Sequence, residues 1–278
     1  MNKEIDAIIE NALKEDMPTG DITTDNLIGN DSLSKCRLIA KADGILAGTQ
    51  VFTRVFDFID GDVEVKWNVN DGQFVHAGTL LANINGNTKT ILKGERVALN
   101  ILQRMSGVAS TTKKFVDVLE GYSTSVYDTR KTTPGLRILE KMAVKLAGGT
   151  NHRYSLSDMV MIKDNHIKAA GSITKAVTLI KSKIPKEIKV EVEAETLEMV
   201  KEALSCDVDV IMLDNMDCLM MSEAVEMAKG YDCLLEASGN MGSKSDEELV
   251  EVAKTGVDYI SVGDLTHSYT SLDISLKF

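Results

Sequence analysis

Aromatic residues are scarce in this chain: 6 Phe, 6 Tyr and a single Trp make 5% of the sequence, while 13 Met are available to fill gaps in a core. Only 3 Pro interrupt 278 residues, and the 4 Cys (Cys36, Cys206, Cys218, Cys233) form no C-x-x-C pair. That spacing excludes a zinc knuckle and a disulfide framework and fits reduced thiols in a cytoplasmic protein. No apolar run is long enough to span a bilayer, and the first sixteen residues read as an acidic amphipathic helix with no cleavable signal, so no membrane is expected. A basic excess is also missing. The formal net charge of −11 argues against a nucleic-acid surface. No G-x-G-x-x-G follows an expected strand, which removes the main support for a dinucleotide fold.

Against that acidic background stands one cationic stretch, DTRKTTPGLRILEKMAVKLAGGTNHR (128–153). Arg130, Lys131, Arg137, Lys141, Lys145 and Arg153, with His152 beside them, face only Asp128 and Glu140, a local +4 within a −11 chain. Such a cluster concentrates an anionic ligand at one place. Lys141 and Lys145 are accounted for as solvent-facing charges on a helix. Arg130 and Lys131, before a Thr-Thr-Pro-Gly turn, and His152 and Arg153, after a Gly-Gly pair, are better explained as a binding site.

The first hundred residues mix the two periods. A helix is expected over 4–16, a half-buried strand with Cys36, Leu38 and Ala40 on one face, a helix over 50–59, and short strands around the Asn-Asp-Gly turn at 70–72. From Lys93 the helical period places Val97, Ile101, Leu102 and Met105 on a buried side, and a second helix is expected from Thr111. After residue 120 short strands (125–128, 159–163, 189–193, 208–213, 233–237, 258–262) alternate with helices (about 134–147, 172–183, 195–204, 217–229, 245–255). That alternation means parallel pairing with right-handed crossovers. Polar residues stand at the carboxyl end of every one of these strands: Asp128 and Arg130, Lys163 and Asp164, Glu193, Asp214 and Asn215, Ser238 and Gly239, Gly263 and Asp264. In an open sheet only strands at the switch point are so equipped, and a closed α/β barrel with its site at one mouth is favoured.

Arg130, Lys131, His152, Arg153 and Lys163 suit carboxylates or phosphates. Glu193 and Asp214 suit a divalent cation, a sugar hydroxyl or base catalysis. The Gly- and Ser-rich loops after the last two strands suit phosphate. The residues taken alone leave open a metal-assisted reaction of a phosphorylated substrate and Schiff-base chemistry through Lys131 or Lys163.

The motifs GDIT (20–23), ERVALNILQRMSGVAS (95–110), DTRKTTPGLRILEK (128–141), GGTNHR (148–153), IKDNHI (162–167), EVE (191–193), IMLDN (211–215), EASG (236–239) and ISVGDLTHS (260–268) run in order along the chain. Together they resemble the quinolinate phosphoribosyltransferases. The resemblance implies a type II phosphoribosyltransferase fold, with an N-terminal α/β sandwich domain (1–107, the tail 269–278 packing there) and a C-terminal α/β barrel with an incomplete set of strands (108–268). It implies transfer of phosphoribosyl from phosphoribosyl pyrophosphate to quinolinate with decarboxylation, assisted by Mg2+, in a cytoplasmic homodimer or larger assembly. By the same resemblance Arg130, Lys131, His152, Arg153 and Lys163 bind quinolinate, and Arg96 is donated across the subunit interface. Glu193 and Asp214 approach the ribose hydroxyls and metal, with Lys131, Glu193 and Asp214 as the catalytic set, and Ser238, Gly239 and Gly263 form the phosphate loops. The chain departs from the family pattern at Asn240, Ala147 and Ser155, where Gly is usual. These departures leave room for two alternatives: a paralogous group of the same fold associated with molybdate transport, and a non-catalytic anion-binding homologue.

Overall fold

In a computed structural model, which describes residues 2–59 and 62–278, the chain divides into two compact units. One contains the residues up to Lys113 together with 132–148 and 265–278, and the other contains 114–131 and 149–264. The chain runs through α1 (Lys3–Asp16), α2 (Ile22–Leu27), β1 (Leu33–Ala40), β2 (Gly44–Ile45), α3 (Thr49–Asp57), β3 (Val63–Trp67), β4 (Phe74–Val75), β5 (Leu80–Asn87) and α4 (Thr88–Val118). It continues through β6 (Ser125–Tyr127), α5 (Arg137–Leu146), β7 (Val160–Ile162), α6 (Asp164–Ala170), α7 (Ile173–Lys181), β8 (Val190–Ala194), α8 (Leu197–Leu204), β9 (Val210–Asp214) and α9 (Cys218–Ala228). The last elements are β10 (Leu234–Ser238), α10 (Asp246–Lys254), β11 (Tyr259–Ser261), α11 (Asp264–His267) and β12 (Ile274–Lys277). Among the described residues no helix is long and apolar enough to cross a membrane.

In the first unit the described strands form an antiparallel sheet in the order β12-β1-β5-β3. The alternation read in β1 holds, since Cys36, Leu38 and Ala40 are all buried. The two helices expected between 93 and 120 are a single helix, α4, of 31 residues. Gly107 lies within it without breaking it and has a packing reason to be there. A Cβ at this position would meet the Thr270 carbonyl oxygen at 2.4 Å, so only Gly admits the chain terminus so close. Gln103 secures that segment, its carbonyl accepting the Leu272 N–H and its Nε2 donating to the Ile274 carbonyl at 2.7 Å. Helix α5 begins at Arg137, after a turn in which Gly135 takes φ +80°. Lys141 is not on its solvent face as expected: it is only 2% exposed, next to a fully buried Glu140 that pairs with Arg104.

In the second unit the described strands form a parallel sheet in the order β6-β11-β10-β9-β8-β7, with helices in the crossovers. Beyond β6 the segment after Gly149 adds a single parallel bridge, Thr150 to Tyr127, a partial further strand. This is the barrel-like α/β architecture with an incomplete strand set. Its central strands are buried on both faces, as parallel strands are; the consecutive residues Val190, Glu191 and Val192 of β8 and Val210, Ile211, Met212 and Leu213 of β9 are all buried. Register then fixes the layers of the site. Glu193 lies beside Met212, which lies beside Glu236, and Asp214 lies beside Ser238.

Candidate active site

Period-2 alternation aims Glu191 and Glu193 to the same side of β8, one layer apart, and Asp214 ends the neighbouring strand β9. Lys163, just past β7, donates from Nζ to Glu193 Oε2 at 2.7 Å, with side chains 45% and 12% exposed. The Asp214 carboxyl is pushed up, first by burial and then by the Glu193 charge, against lowering by Asn215, Lys163 and Lys131. The structure thus brings Lys131, Lys163, Glu193 and Asp214 into one electrostatic neighbourhood at the carboxyl ends of the strands. Glu193, Asp214 and the exposed Glu195 each offer an oxygen within 4.8 Å of the others, and hard oxygen donors of this kind suit Mg2+.

Arg130 and Arg153 occupy the same unit and repel one another. Burial, then the Arg130 charge, lowers the proton affinity of Arg153. Arg153 Nη1 donates to the Met159 carbonyl at 3.0 Å. The following turn is tied by Asp158, which accepts the Tyr154 and Ser155 N–H groups at 2.7 Å each and the Ser155 hydroxyl at 2.7 Å. Ser155, one of the departures from the family pattern, therefore supplies a turn bond that Gly lacks.

His152 is placed differently from the other cations. Its side chain is 6% exposed, and its Nε2 lies 3.0 Å from Glu191 Oε2 and 3.2 Å from Glu236 Oε2. Burial works to strip the ring of its proton, but the two carboxylates outweigh it and raise its pKa. Burial also raises the Glu191 carboxyl, against lowering by its bond to His152, and the neighbouring Glu236 charge adds to the rise. The Arg153 N–H donates to Nδ1 at 2.7 Å, which keeps the retained proton on the Nε2 and carboxylate side. Glu191 and Glu236 are not among the residues expected at the site from sequence. The available signal was a Glu at alternate positions of an otherwise apolar strand, V-E-V-E, and a second in L-L-E-A-S.

The loop after β10 carries Ser238, Gly239 and Asn240. Gly239 has φ +103°, and a Cβ there would sit 2.3 Å from Asn215 Oδ1. Asn240 takes φ +50°, the left-handed region that Asn tolerates, so its difference from Gly leaves the backbone path available. Ala147 caps α5 at φ −90°, with Gly148 taking the left-handed position at +90°. Gly263 follows β11, in the same unit as Ser238 and Gly239. Arg96 lies in the other unit, exposed on α4.

Comparison with known proteins divides the chain at a single point, near residue 107. The quinolinate phosphoribosyl transferase N-terminal domain matches residues 21–106 and the C-terminal domain of that family matches residues 108–277. A probable carboxylating nicotinate-nucleotide pyrophosphorylase of Synechocystis sp. is 42% identical over 98% of this chain and 92% of its own length. The chloroplastic enzyme of that name from Arabidopsis thaliana is 42% identical over 99% of this chain and 82% of its own. The crystal structure of NadC from Streptococcus pyogenes superposes with a TM-score of 0.95 at 41% identity, covering 100% of this chain and 97% of that one. The strand-end acids and cations, the two-unit organisation and these matches lead to one conclusion: the chain belongs to the quinolinate phosphoribosyltransferase family.

Proposed function

We propose that this protein is a carboxylating nicotinate-nucleotide pyrophosphorylase, which transfers phosphoribosyl from phosphoribosyl pyrophosphate to quinolinate, with loss of carbon dioxide, in NAD biosynthesis. The observation that carries this reading at the site is the meeting of Lys163 with Glu193, beside Asp214, at the carboxyl ends of adjacent parallel strands. Quinolinate presents two adjacent carboxylates. Arg130, Arg153 and Lys163 are the cations assigned to hold them, and Lys131 the cation assigned to the reacting centre, with Arg96 donated by the partner subunit of a homodimer. His152 belongs to the same site as the anchor of Arg153. Fixing both carboxylates leaves the pyridine nitrogen free to attack the anomeric carbon in line with the departing pyrophosphate.

Positive charge develops on the ribose during that attack. Glu193 and Asp214 are assigned to the ribose hydroxyls, where their negative charge stabilises it, and the Lys131 ammonium is assigned to the leaving oxygens. Once the nitrogen is quaternised, its positive charge stabilises the carbanion left on the adjacent ring carbon as the carboxylate departs as carbon dioxide, and that carbon takes a proton from water to give nicotinate mononucleotide, so no covalent bond to the protein is required. Ser238, Gly239 and Gly263 are assigned to the 5′-phosphate. Glu193 and Asp214 are also the residues assigned to Mg2+, whose contribution when bound is to neutralise pyrophosphate charge. Free thiols at Cys36, Cys206, Cys218 and Cys233 support a reducing, cytoplasmic setting. Incubation with quinolinate, phosphoribosyl pyrophosphate and Mg2+ should release carbon dioxide and nicotinate mononucleotide in equal amounts. Absence of both, or a faster rate with nicotinate, would overturn the assignment.

A further inference from the structure

Asp128, Glu191 and Glu236 are fully buried acids within the barrel unit, and the reaction as described gives none of them a task. All three converge on one residue. Asp128 Oδ1 accepts the backbone N–H of His152 at 2.8 Å, while Glu191 and Glu236 approach its Nε2 at 3.0 and 3.2 Å. On its other side the ring accepts the Arg153 N–H through Nδ1. The Tyr127 ring meets the imidazole edge to face, with centroids 5.4 Å apart, and is itself stacked on Tyr259 at 3.8 Å. The outer oxygens, Glu191 Oε1 and Glu236 Oε1, have no hydrogen-bond partner among the described residues.

Taking two carboxylates out of water costs several kcal/mol per ion, and an apolar interior of the same volume is commonly as stable. Fold stability is therefore a poor explanation for the pair, whereas fixing position is a good one. The imidazole has its ring nitrogens and its backbone N–H all engaged, so the segment 151–153 has little freedom to rotate. The residue so fixed is followed directly by Arg153. We propose that Glu191 and Glu236, acting through His152, are positioning residues of the substrate-carboxylate site: they hold the segment 151–153 so that the Arg153 guanidinium is presented in one orientation. This rests on the quinolinate reading for its kinetic consequence but not for its structural one.

Two experiments separate these levels. In steady-state kinetics, Glu236→Gln and Glu191→Gln should each raise the quinolinate KM about 10-fold or more, as loss of an orienting group does. The KM for phosphoribosyl pyrophosphate should stay within about twofold, since the lost binding is confined to one substrate. In a His152→Gln background the Glu236→Gln change should add nothing further, because the glutamate acts through the ring. Additive effects, equal rises in both KM values, or a single variant that does not fold would each overturn the proposal. So would one equivalent of bound metal lost on Glu236→Gln, which would make the cluster a cation site. The second experiment is hydrogen exchange of the peptide covering 149–158 without substrate, which should quicken in Glu236→Gln. Unchanged exchange overturns the positioning role. Quicker exchange in a protein that does not turn over quinolinate leaves the positioning role standing and removes the substrate assignment instead.

Discussion

Lys163 and Glu193 form an ion pair that joins a cation of the site to an acid of the site, and it tests the assignment at the scale of the residue. Lys163→Ala removes a charge-assisted hydrogen bond and leaves Glu193 facing Asp214 with less compensation. It also removes the charge-assisted hydrogen bond assigned from Lys163 to a quinolinate carboxylate, a bond of a type that contributes roughly 1.5–3 kcal/mol, so quinolinate binding should weaken about 10- to 100-fold. Titration calorimetry with quinolinate checks it, and unaltered affinity would place the carboxylates elsewhere. Asp158 gives a prediction in pH. Burial raises its carboxyl, but the Ser155 hydroxyl and the Tyr154 and Ser155 N–H groups outweigh that and hold it below the usual carboxylate range. The folded chain therefore gives up this proton more readily than the unfolded one. The stabilisation is complete above the ordinary carboxylate range and is lost as pH falls through it toward the depressed folded value. Asp158→Asn should lower the melting temperature near neutral pH and flatten the acid side of the wild-type profile. A parallel profile would show that the turn bonds are not coupled to ionisation.

At the scale of the element, the loop after β10 couples two strands. Asn215, at φ +55°, donates from Nδ2 to Asp214 Oδ2 at 2.9 Å, and its N–H binds the Ser238 carbonyl at 3.0 Å. Gly239 packs so closely on its Oδ1 that Gly239→Ala must displace Asn215, besides costing roughly 1–2 kcal/mol for the left-handed backbone. That variant should raise the KM for phosphoribosyl pyrophosphate and lower kcat together, because the phosphate loop and the Asp214 orientation move as one. Asn240→Gly, by contrast, should change stability by less than about 1 kcal/mol, since Asn already tolerates this conformation. Thermal melts and initial rates of the two variants distinguish them. The strands themselves were legible because period-2 patterning and polar ends mark them, and all six expected strands are present. Other elements were less so. Helix α6 was hidden by the site residues that begin it, Lys163 and Asp164 having been read for their chemistry. The break expected near Thr111 ignored that a Gly can serve packing inside a helix. Lys141 is buried although its helix face looked polar in sequence, because burial there depends on neighbours that are remote in the chain. Glu191 left a trace in the V-E-V-E alternation, but its meeting with His152 is not legible for the same reason, since the two are remote in the chain.

For the whole molecule, the prediction with most consequence concerns Arg96. It is exposed on α4, in a different unit from Lys131, Lys163, Glu193 and Asp214, and is assigned to the active site of a partner subunit. Arg96→Ala should then nearly abolish activity while leaving the melting temperature unchanged, because an exposed side chain contributes little to the core. Lys131→Ala should be inactive through loss of a cation from its own barrel. If the two inactive proteins are mixed and exchange subunits freely, half of the dimers are hybrids. Each hybrid holds one doubly defective site and one site made from the intact halves of both chains. Activity should return to about one quarter of the wild-type value per chain, the fraction that closed twofold symmetry dictates. Mass spectrometry of differently tagged chains measures the exchange itself. Full exchange without recovered activity would mean that Arg96 serves its own chain or none, whereas recovery near one quarter requires that each site be completed by its neighbour.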